Sequence, residues 1–325
     1  MEYKPLGQSG LQVSVVGLGC MNFGMMNDEA ESAQIVHSAL DLGINFFDTA
    51  DVYGERGKSE TWLGAALGAR RQEVIVATKF AGPMSAERVD MQGGSRRYIM
   101  QAVEASLRRL GTDYIDLYQM HRYDDATPVE ETLRALDDLV REGKVRYLGN
   151  SNYNAWQITD ADWIARSLNL NRFVSAQNRY SLLTRGPEQE LIPACQRFGI
   201  GLLPYFPLES GLLTGKYRRN EPAPEGTRLA KWGSWGSGAF ASEDKLERVE
   251  QLRELSSRHD HSLLDLAMGW LAARPSVASV IAGVTSVEQL EQNAKAGLFR
   301  LSADELAEVD EISPPPGDGL GPRGR

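Results

Sequence analysis

The sequence predicts an α/β protein with a (β/α)8 TIM barrel, an N-terminal β-hairpin and a long loop after the seventh barrel strand. Eight short apolar runs recur along the chain, and longer segments with helical periodicity lie between them. The length of 325 residues suits a barrel that forms one domain. An open, doubly wound sheet is the rival architecture, and the number of apolar runs favours closure.

The barrel strands are predicted where apolar runs rich in β-branched and aromatic residues occur. The predicted ranges are 13–19, 44–47, 74–78, 114–119, 145–149, 172–177, 200–205 and 278–283. Because helical segments separate these runs, the strands should be parallel and should end at the same rim of the barrel.

Three helices have the clearest sequence signals. Residues 29–42 place apolar side chains on one face, and residues 96–110 show the same period. Residues 128–142 form the third predicted helix. Pro128 lies in its first turn and Arg141 in its last, as the helix dipole favours.

Three segments depart from this alternation. Residues 1–12 carry turn-forming residues between short extended pieces, which predicts the hairpin. Residues 82–95 form a loop after the third strand, and residues 215–243 form the long loop after the seventh. Loops of that length are usually functional or disordered. Trp232 and Trp235 therefore suggest either a lid over a substrate or cofactor, or an ordinary surface loop.

Residues 1–312 are predicted to form a single domain, and residues 313–325, rich in Pro and Gly, a flexible tail. The formal net charge of −9 argues against nucleic acid or an anionic membrane as the main partner. No apolar run reaches the roughly 18 residues of a membrane span. The two cysteines form no CxxC pair, and residues 1–10 lack the apolar core of a signal peptide. A cytoplasmic protein is expected.

Four polar side chains follow or end predicted strands: Asp48, Tyr53, Lys79 and His121. A phenol beside a cation and an imidazole can donate a proton to a carbonyl oxygen. Each residue alone also has an ordinary explanation, such as an N-cap, a packed ring or a solvated amine. Their combination at one rim favours a catalytic site.

Eight motifs run in order along nearly the whole chain. They are DTADVYG at 48–54, SETWLG at 59–64, ATK at 77–79, LYQMHR at 117–122, GNSN at 149–152, SAQNRYSLL at 175–183, PYFPLESGLLTGKY at 204–217 and AGVTSVEQLEQNA at 282–294. Together they resemble the aldo-keto reductase superfamily, and they look closest to its bacterial members and its potassium-channel β-subunit-like branch. The resemblance implies a (β/α)8 barrel, NADPH as cofactor, no Rossmann domain and no metal. No GxGxxG segment joins a strand to a helix, which is consistent with it.

The resemblance also implies roles for the four polar side chains. Tyr53 would be the general acid in the reduction of a carbonyl, and Lys79 would lower the pKa of its phenol. Asp48 would pair with Lys79, and His121 would orient the carbonyl oxygen.

Residues at several strand ends match those that meet the nicotinamide half of the cofactor in this family. They are Gly19, Cys20, Met21, Asp48, Ser151, Asn152, Gln177 and Tyr205. Ser151, Asn152 and Gln177 would bind the carboxamide, and Tyr205 would stack on the ring. These contacts would present one ring face to the substrate.

A second group matches the residues that follow the diphosphate and the adenosine. They are Phe206, Pro207, Leu208, Ser210, Gly211, Lys216, Gly283, Thr285, Gln289 and Asn293. Many family members carry Arg or Lys where this chain has Thr285 and Gln289, which weakens the case for a 2′-phosphate at that spot. Arg228 matches a basic residue that reaches this phosphate in the β-subunit-like branch. NADPH is therefore preferred over NADH.

The mouth of the site is expected to be lined by Phe23, Tyr53, Phe80, Arg122 and the tryptophans of the long loop. This set favours a small-molecule carbonyl with an apolar or aromatic flank as substrate. Three functions stay open at this stage. They are an NADPH-dependent carbonyl reductase, a nucleotide-sensing binding protein like a channel β subunit, and an NAD-dependent sugar dehydrogenase. His121 favours the first, since the β-subunit-like branch often lacks it. The oligomeric state is not predicted.

Overall fold

An antiparallel hairpin precedes the barrel. In the computed structural model, which describes residues 1–217, 221, 224, 230 and 242–317, β1 spans Tyr3–Pro5 and pairs with β2, Gln12–Ser14. Gly7 in the turn has φ +59°, and a Cβ there would come within 2.7 Å of backbone atoms near the start of a barrel strand. Only glycine fits so close an approach. The hairpin therefore packs against the end of the barrel where the strands begin.

Eight parallel strands follow the hairpin. They are β3 (Val16–Gly19), β4 (Phe46–Asp48), β5 (Ile75–Phe80), β6 (Ile115–Met120), β7 (Val145–Ser151), β8 (Phe173–Gln177), β9 (Gly201–Leu202) and β10 (Val280–Gly283). Each strand pairs with the next, and β10 pairs with β3.

Backbone hydrogen bonds close the ring between β9 and β10. The N–H of Ala278 donates to the carbonyl of Leu202 at 2.9 Å, and the N–H of Ile281 donates to that of Pro204 at 2.9 Å. The prediction of a closed (β/α)8 barrel is confirmed, and an open sheet is excluded.

The strands occur where they are predicted, with most ends displaced by one or two residues, and two of them are much shorter than predicted. The run 13–19 divides, since Gln12–Ser14 belongs to the hairpin and the barrel strand begins at Val16. The run 200–205 contains a regular strand only over Gly201–Leu202. Residue patterns indicate extended backbone, whereas pairing partners decide where a strand begins and ends.

Helices surround the strands. Those of the described residues are α1 (Glu29–Asp41), α2 (Tyr53–Leu67), α3 (Arg96–Leu110), α4 (Val129–Arg141), α5 (Ala155–Ser167), α6 (Leu191–Phe198), α7 (Glu243–Arg258), α8 (Leu263–Ala272), α9 (Val287–Ala296) and α10 (Ala303–Ile312). The three helices with clear sequence signals are found within one residue at each end. Residues 82–95 form a loop, as predicted.

Two apolar layers hold the barrel together. Phe46, Ala77, Leu117 and Leu203 belong to a cluster inside it, which also contains Leu6 of the hairpin. A larger cluster packs the outward strand faces against the helices. This alternation follows from the two-residue period of a strand.

Ser313, the first residue of the predicted tail, is buried, and its backbone carbonyl accepts a hydrogen bond from Arg185. Ser313 thus packs against the folded domain, and residues 318–325 lie outside the described part of the chain. Within the described ranges, no helix combines the length and apolar character needed to cross a bilayer. Both cysteines are buried and unpaired.

Candidate active site

A cavity of about 810 Å³ opens where the barrel strands end. Gly19, Asp48, Ser151, Gln177 and Gly283 line it, and each is the last residue of its strand. Parallel strands end at one rim, so these residues meet although they are far apart in sequence. The rim predicted to hold the chemistry therefore contains a cavity.

A buried ion pair forms the floor of this cavity. The Nζ of Lys79 donates to Oδ2 of Asp48 at 2.6 Å and to the carbonyl of Thr49 at 2.9 Å. The amides of Gln119 and Gln177 donate to Oδ1 of Asp48 at 3.1 and 2.7 Å. The lysine side chain is 0% exposed. These bonds satisfy the buried charges, which would otherwise be costly.

Tyr53 lines the cavity beside this pair, with the Lys79 Nζ 5.0 Å from its ring centroid. Burial raises the pKa of Tyr53, and the nearby Lys79 opposes this effect without cancelling it. Burial alone would lower the pKa of Lys79, but Asp48 and Tyr53 raise it overall. The expected influence of Lys79 on the phenol is therefore present but outweighed. Tyr53 holds its proton at neutral pH.

His121 stands at an edge-on angle to Tyr53, with the ring centroids 5.7 Å apart. Burial, followed by the charges of Lys79 and Arg122, lowers the pKa of His121 to about 3. Among the described residues, its buried Nδ1 has no hydrogen-bond partner. The imidazole is thus neutral at physiological pH, and it can act as a hydrogen-bond donor or acceptor but not as a cation.

Polar side chains at the end of β7, together with Tyr205 after β9, form one wall. The amide nitrogen of Asn152 donates to the carbonyl of His121 at 2.9 Å, and its Oδ1 accepts from the hydroxyl of Tyr205 at 2.7 Å. The Oγ of Ser151 donates to the carbonyl of Gln177 at 2.9 Å. These bonds tie the ends of successive strands together and fix the amides that face the cavity.

The segment after β9 forms a second wall. Besides Tyr205, six of its predicted cofactor contacts line the cavity: Phe206, Pro207, Leu208, Ser210, Gly211 and Lys216. Gly211 has φ +98°, which few other residues adopt. The Oγ of Ser210 is buried and has no partner among the described residues. A free hydroxyl beside a glycine and a lysine suits an anionic group.

The far end of the cavity lies at the start of α9. Thr285, Gln289 and Asn293, which the sequence analysis assigns to the adenosine, line it. The Oε1 of Gln289 accepts from the backbone N–H of Thr285 at 3.0 Å and from its hydroxyl at 3.2 Å. Thr285 and Gln289, the two positions expected to be basic in many members of the family, thus form hydrogen bonds with each other.

Seven further residues of the cavity wall were not identified from the sequence. They are Asn22, Met26, Thr214, Leu264, Ile281, Ala282 and Gln292. Several lie within two residues of a predicted contact, so an extended motif would have included them. Leu264 belongs to α8 and has no local signal. Only the packing of this helix brings it to the cavity.

Some predicted contacts lie elsewhere. Cys20, Phe23 and Phe80 are fully buried and are not among the residues of this wall. Phe80 follows Lys79 on β5 and points to the opposite face, where it stacks on Tyr118 with ring centroids 4.7 Å apart.

Arg122 is exposed and also lies outside the wall. Arg228, Trp232 and Trp235 lie outside the described residues. Within the described ranges, no three His, Cys, Asp or Glu side chains are grouped so that they could hold a metal ion.

Comparison with known proteins gives a consistent result. The family model described as Aldo/keto reductase family matches residues 15–314. An uncharacterized oxidoreductase of Bacillus subtilis is 38% identical, over 98% of this chain and 97% of the relative. A probable voltage-gated potassium channel subunit beta of Oryza sativa is 38% identical, over 91% of each chain. A versiconal hemiacetal acetate reductase of Aspergillus parasiticus is 34% identical, over 96% of each.

Proposed function

The chain belongs to the aldo/keto reductase family, and on that basis we propose that it is an NADPH-dependent oxidoreductase that reduces aldehydes or ketones to alcohols. Its relatives include an oxidoreductase and a reductase, which supports redox chemistry. The observation that carries the proposal is the position of Tyr53, which faces the cavity beside the buried Lys79–Asp48 pair. We further propose a small-molecule carbonyl as the partner and a cytoplasmic location.

The cavity residues fit a nicotinamide nucleotide. The volume of the cavity, about 810 Å³, lies in the upper part of the usual range for ligand sites. Ser151, Asn152 and Gln177 would hold the carboxamide, since they present fixed amides and a hydroxyl. The hydroxyl of Ser210, which has no partner in the described part of the chain, and the nearby Lys216 would hold the diphosphate. The bound nucleotide would supply the hydride.

The protein residues would then manage the proton. Tyr53, protonated at neutral pH, would donate its proton to the substrate oxygen as negative charge develops there. Lys79 would stabilise the phenolate left behind, and Asp48 would keep Lys79 charged and oriented. The neutral His121 would donate a hydrogen bond to the same oxygen. Solvent would return the proton to Tyr53 after product release.

The choice of NADPH over NADH depends on Arg228, because the described residues at the adenosine end are uncharged. Thr285, Gln289, Gln292 and Asn293 all lack a positive charge. Gln289 lines the cavity, but its Oε1 already accepts a hydrogen bond from the backbone N–H of Thr285. If Arg228 does not reach the 2′-phosphate, NADH would serve equally well, and an NAD-dependent dehydrogenase would be the better description.

The test of this function is Tyr53→Phe, assayed with NADPH and a panel of aldehydes and ketones. Removing the general acid should lower kcat by roughly a hundredfold or more. The Kd of NADPH, from quenching of protein fluorescence, should stay within about twofold, since little apolar surface is lost.

Tyr114→Phe is the matched control. Tyr114 lies just before the start of β6, between Arg71 and Arg146, and does not line the cavity. This variant should reduce aldehydes at the parent rate. Unchanged turnover in Tyr53→Phe would exclude Tyr53 as the acid.

A nucleotide-binding regulatory subunit is the second candidate, favoured by the similarity to the rice protein. If the protein binds NADPH tightly but reduces no compound of the panel, a regulatory subunit is favoured over an enzyme.

A further inference from the structure

The turn after β9 has an unusual backbone. Phe206, Glu209 and Ser210 have φ values of 51°, 46° and 57°, in the left-handed region that L-residues rarely occupy. Gly211 follows with φ +98°. Such conformations persist only where the surrounding structure enforces them. This turn also lines the cavity, so its shape decides how the cavity receives a ligand.

The carboxylate of Glu209 holds this turn from behind. Its Oε1 accepts from Nε of Arg179 at 3.1 Å, from Ser181 Oγ at 2.9 Å and from Thr184 Oγ1 at 2.8 Å. Its Oε2 accepts from Nζ of Lys245 at 2.9 Å and from the guanidinium of Arg179. The glutamate side chain is 0% exposed.

These donors come from separate parts of the chain. Arg179, Ser181 and Thr184 lie in the segment after β8, and Lys245 lies in α7. Burial raises the pKa of Glu209, but Arg179 and Lys245 more than offset this, so the pKa lies below its usual value. The ionised carboxylate therefore connects the cavity turn to two other elements.

We propose that Glu209 is a positioning residue for nucleotide binding. It does not line the cavity. Its bonds hold the 206–211 turn in the strained form in which Ser210 and Gly211 face the predicted diphosphate position. Without them, the turn would relax, and binding would have to restore the strained form at a cost in affinity. This inference rests on the proposed function, since it assumes a nucleotide in the cavity.

The test is Glu209→Gln, assayed by NADPH titration and by steady-state kinetics. Glutamine keeps an acceptor at one position and places an NH2 group at the other. If the NH2 group takes the place of Oε2, it faces the N–H donors of Arg179 and Lys245. Because an NH2 group cannot accept their hydrogen bonds, the link to α7 is lost. Bonds to charged groups contribute enough that the Kd of NADPH should rise roughly tenfold or more. The kcat at saturating NADPH should stay within about twofold, because the Tyr53 site is untouched.

Asp162→Asn is the matched control. Asp162 of α5 is also a buried carboxylate, and it accepts bonds from Arg166 at 2.6 Å and Arg172 at 2.5 Å. It is not part of the cavity wall. Loss of the Asp162 carboxylate should lower the stability of the protein, as in Glu209→Gln, but should leave the Kd of NADPH unchanged.

Hydrogen exchange without nucleotide gives a second readout. Amides of residues 206–217 should exchange faster in Glu209→Gln than in the parent, while those of residues 46–53 should not change. A purely global loss of stability would accelerate both segments. If Glu209→Gln cannot be obtained folded, Lys245→Met is the substitute, and its Kd should rise about threefold.

The outcomes separate this inference from the proposed function. Parent-like NADPH affinity in Glu209→Gln, or in Lys245→Met where that is the only folded variant, overturns the inference alone. An equal loss of affinity in Asp162→Asn also overturns it, since any buried carboxylate would then have the same effect. A parent protein that binds no nicotinamide nucleotide overturns the proposed function, and the inference with it.

Discussion

The side chain of His121 shows how its surroundings change an ordinary residue. Burial, then the charges of Lys79 and Arg122, lowers its pKa from the ordinary histidine value to about 3. In the unfolded chain this imidazole takes up a proton below about pH 6.5, whereas in the folded chain it stays neutral down to about pH 3. Folding stability therefore falls as the pH decreases through this window.

We predict that His121→Asn removes this acid dependence. Between pH 6 and pH 4, the unfolding free energy of the parent should lose about 1.4 kcal/mol more per pH unit than that of the variant. Urea unfolding at several pH values measures the difference. The exposed His37 offers the control His37→Asn, which should retain the parental slope. Parallel slopes for parent and His121→Asn would contradict a depressed pKa.

At the scale of one element, the turn from β4 into α2 positions the proposed acid. Asp48 ends β4 and Tyr53 begins α2, and the residues from Gly54 to Gly57 all have positive φ. A Cβ on Gly54 would lie 2.5 Å from the carbonyl oxygen of Phe23. The glycine thus permits the close approach that directs the Tyr53 ring towards the cavity.

Behind this turn lies a second buried carboxylate, Asp51. The hydroxyl of Tyr98 donates to it at 3.3 Å, and Glu60, paired with Arg109, lies nearby. Burial, and then the charge of Glu60, raises the pKa of Asp51 to about 8. The folded protein therefore keeps a proton that the unfolded chain releases above about pH 4. Stability falls as the pH rises from about 4 to about 8.

We predict that Asp51→Asn removes this penalty. In this window the parent should lose about 1.4 kcal/mol per pH unit relative to the variant, so the variant should be the more stable protein at pH 7.5. Urea midpoints at pH 5, 6.5 and 7.5 test it. Asp41→Asn, at an exposed aspartate, should follow the parent. Parallel pH dependences for the parent and Asp51→Asn between pH 4 and pH 8 would contradict a raised pKa of Asp51.

At the scale of the whole molecule, the cavity lies between the first and the last strand of the barrel. Gly19 lies at the end of β3 and Gly283 at the end of β10, and both line the cavity together with residues of the strands between them. A ligand in it would contact segments that lie far apart in the sequence, from Gly19 to Asn293. Its binding free energy should therefore appear as stability of the entire domain.

We predict that NADPH raises the melting temperature of the protein. At a concentration one hundred times its Kd, the nucleotide should add about 2.7 kcal/mol of stability, or several degrees. NADH should give a smaller shift at the same concentration. The variant Arg228→Ala should remove that difference, since it removes the predicted partner of the 2′-phosphate. Equal shifts with both nucleotides in the parent would remove the preference for NADPH.

Much of the rim was predictable because strand ends are local features. Asp48 and Lys79 were identified from the apolar runs beside them, and the structure joins them in one ion pair. Phe80 is expected at the mouth of the site, but the two-residue period of the strand turns it towards the helices. Leu264 was missed because its helix reaches the cavity only through packing.

The sequence by itself determined the order of strands and helices and the polar residues that end the strands, since both depend on spacing between near neighbours. Only the tertiary structure decided the proton affinities of Tyr53 and His121, because burial depends on groups that ring closure brings together. It likewise decided that Glu209 meets Arg179 and Lys245. Distances between remote segments have no local signature, and desolvation is set by those distances.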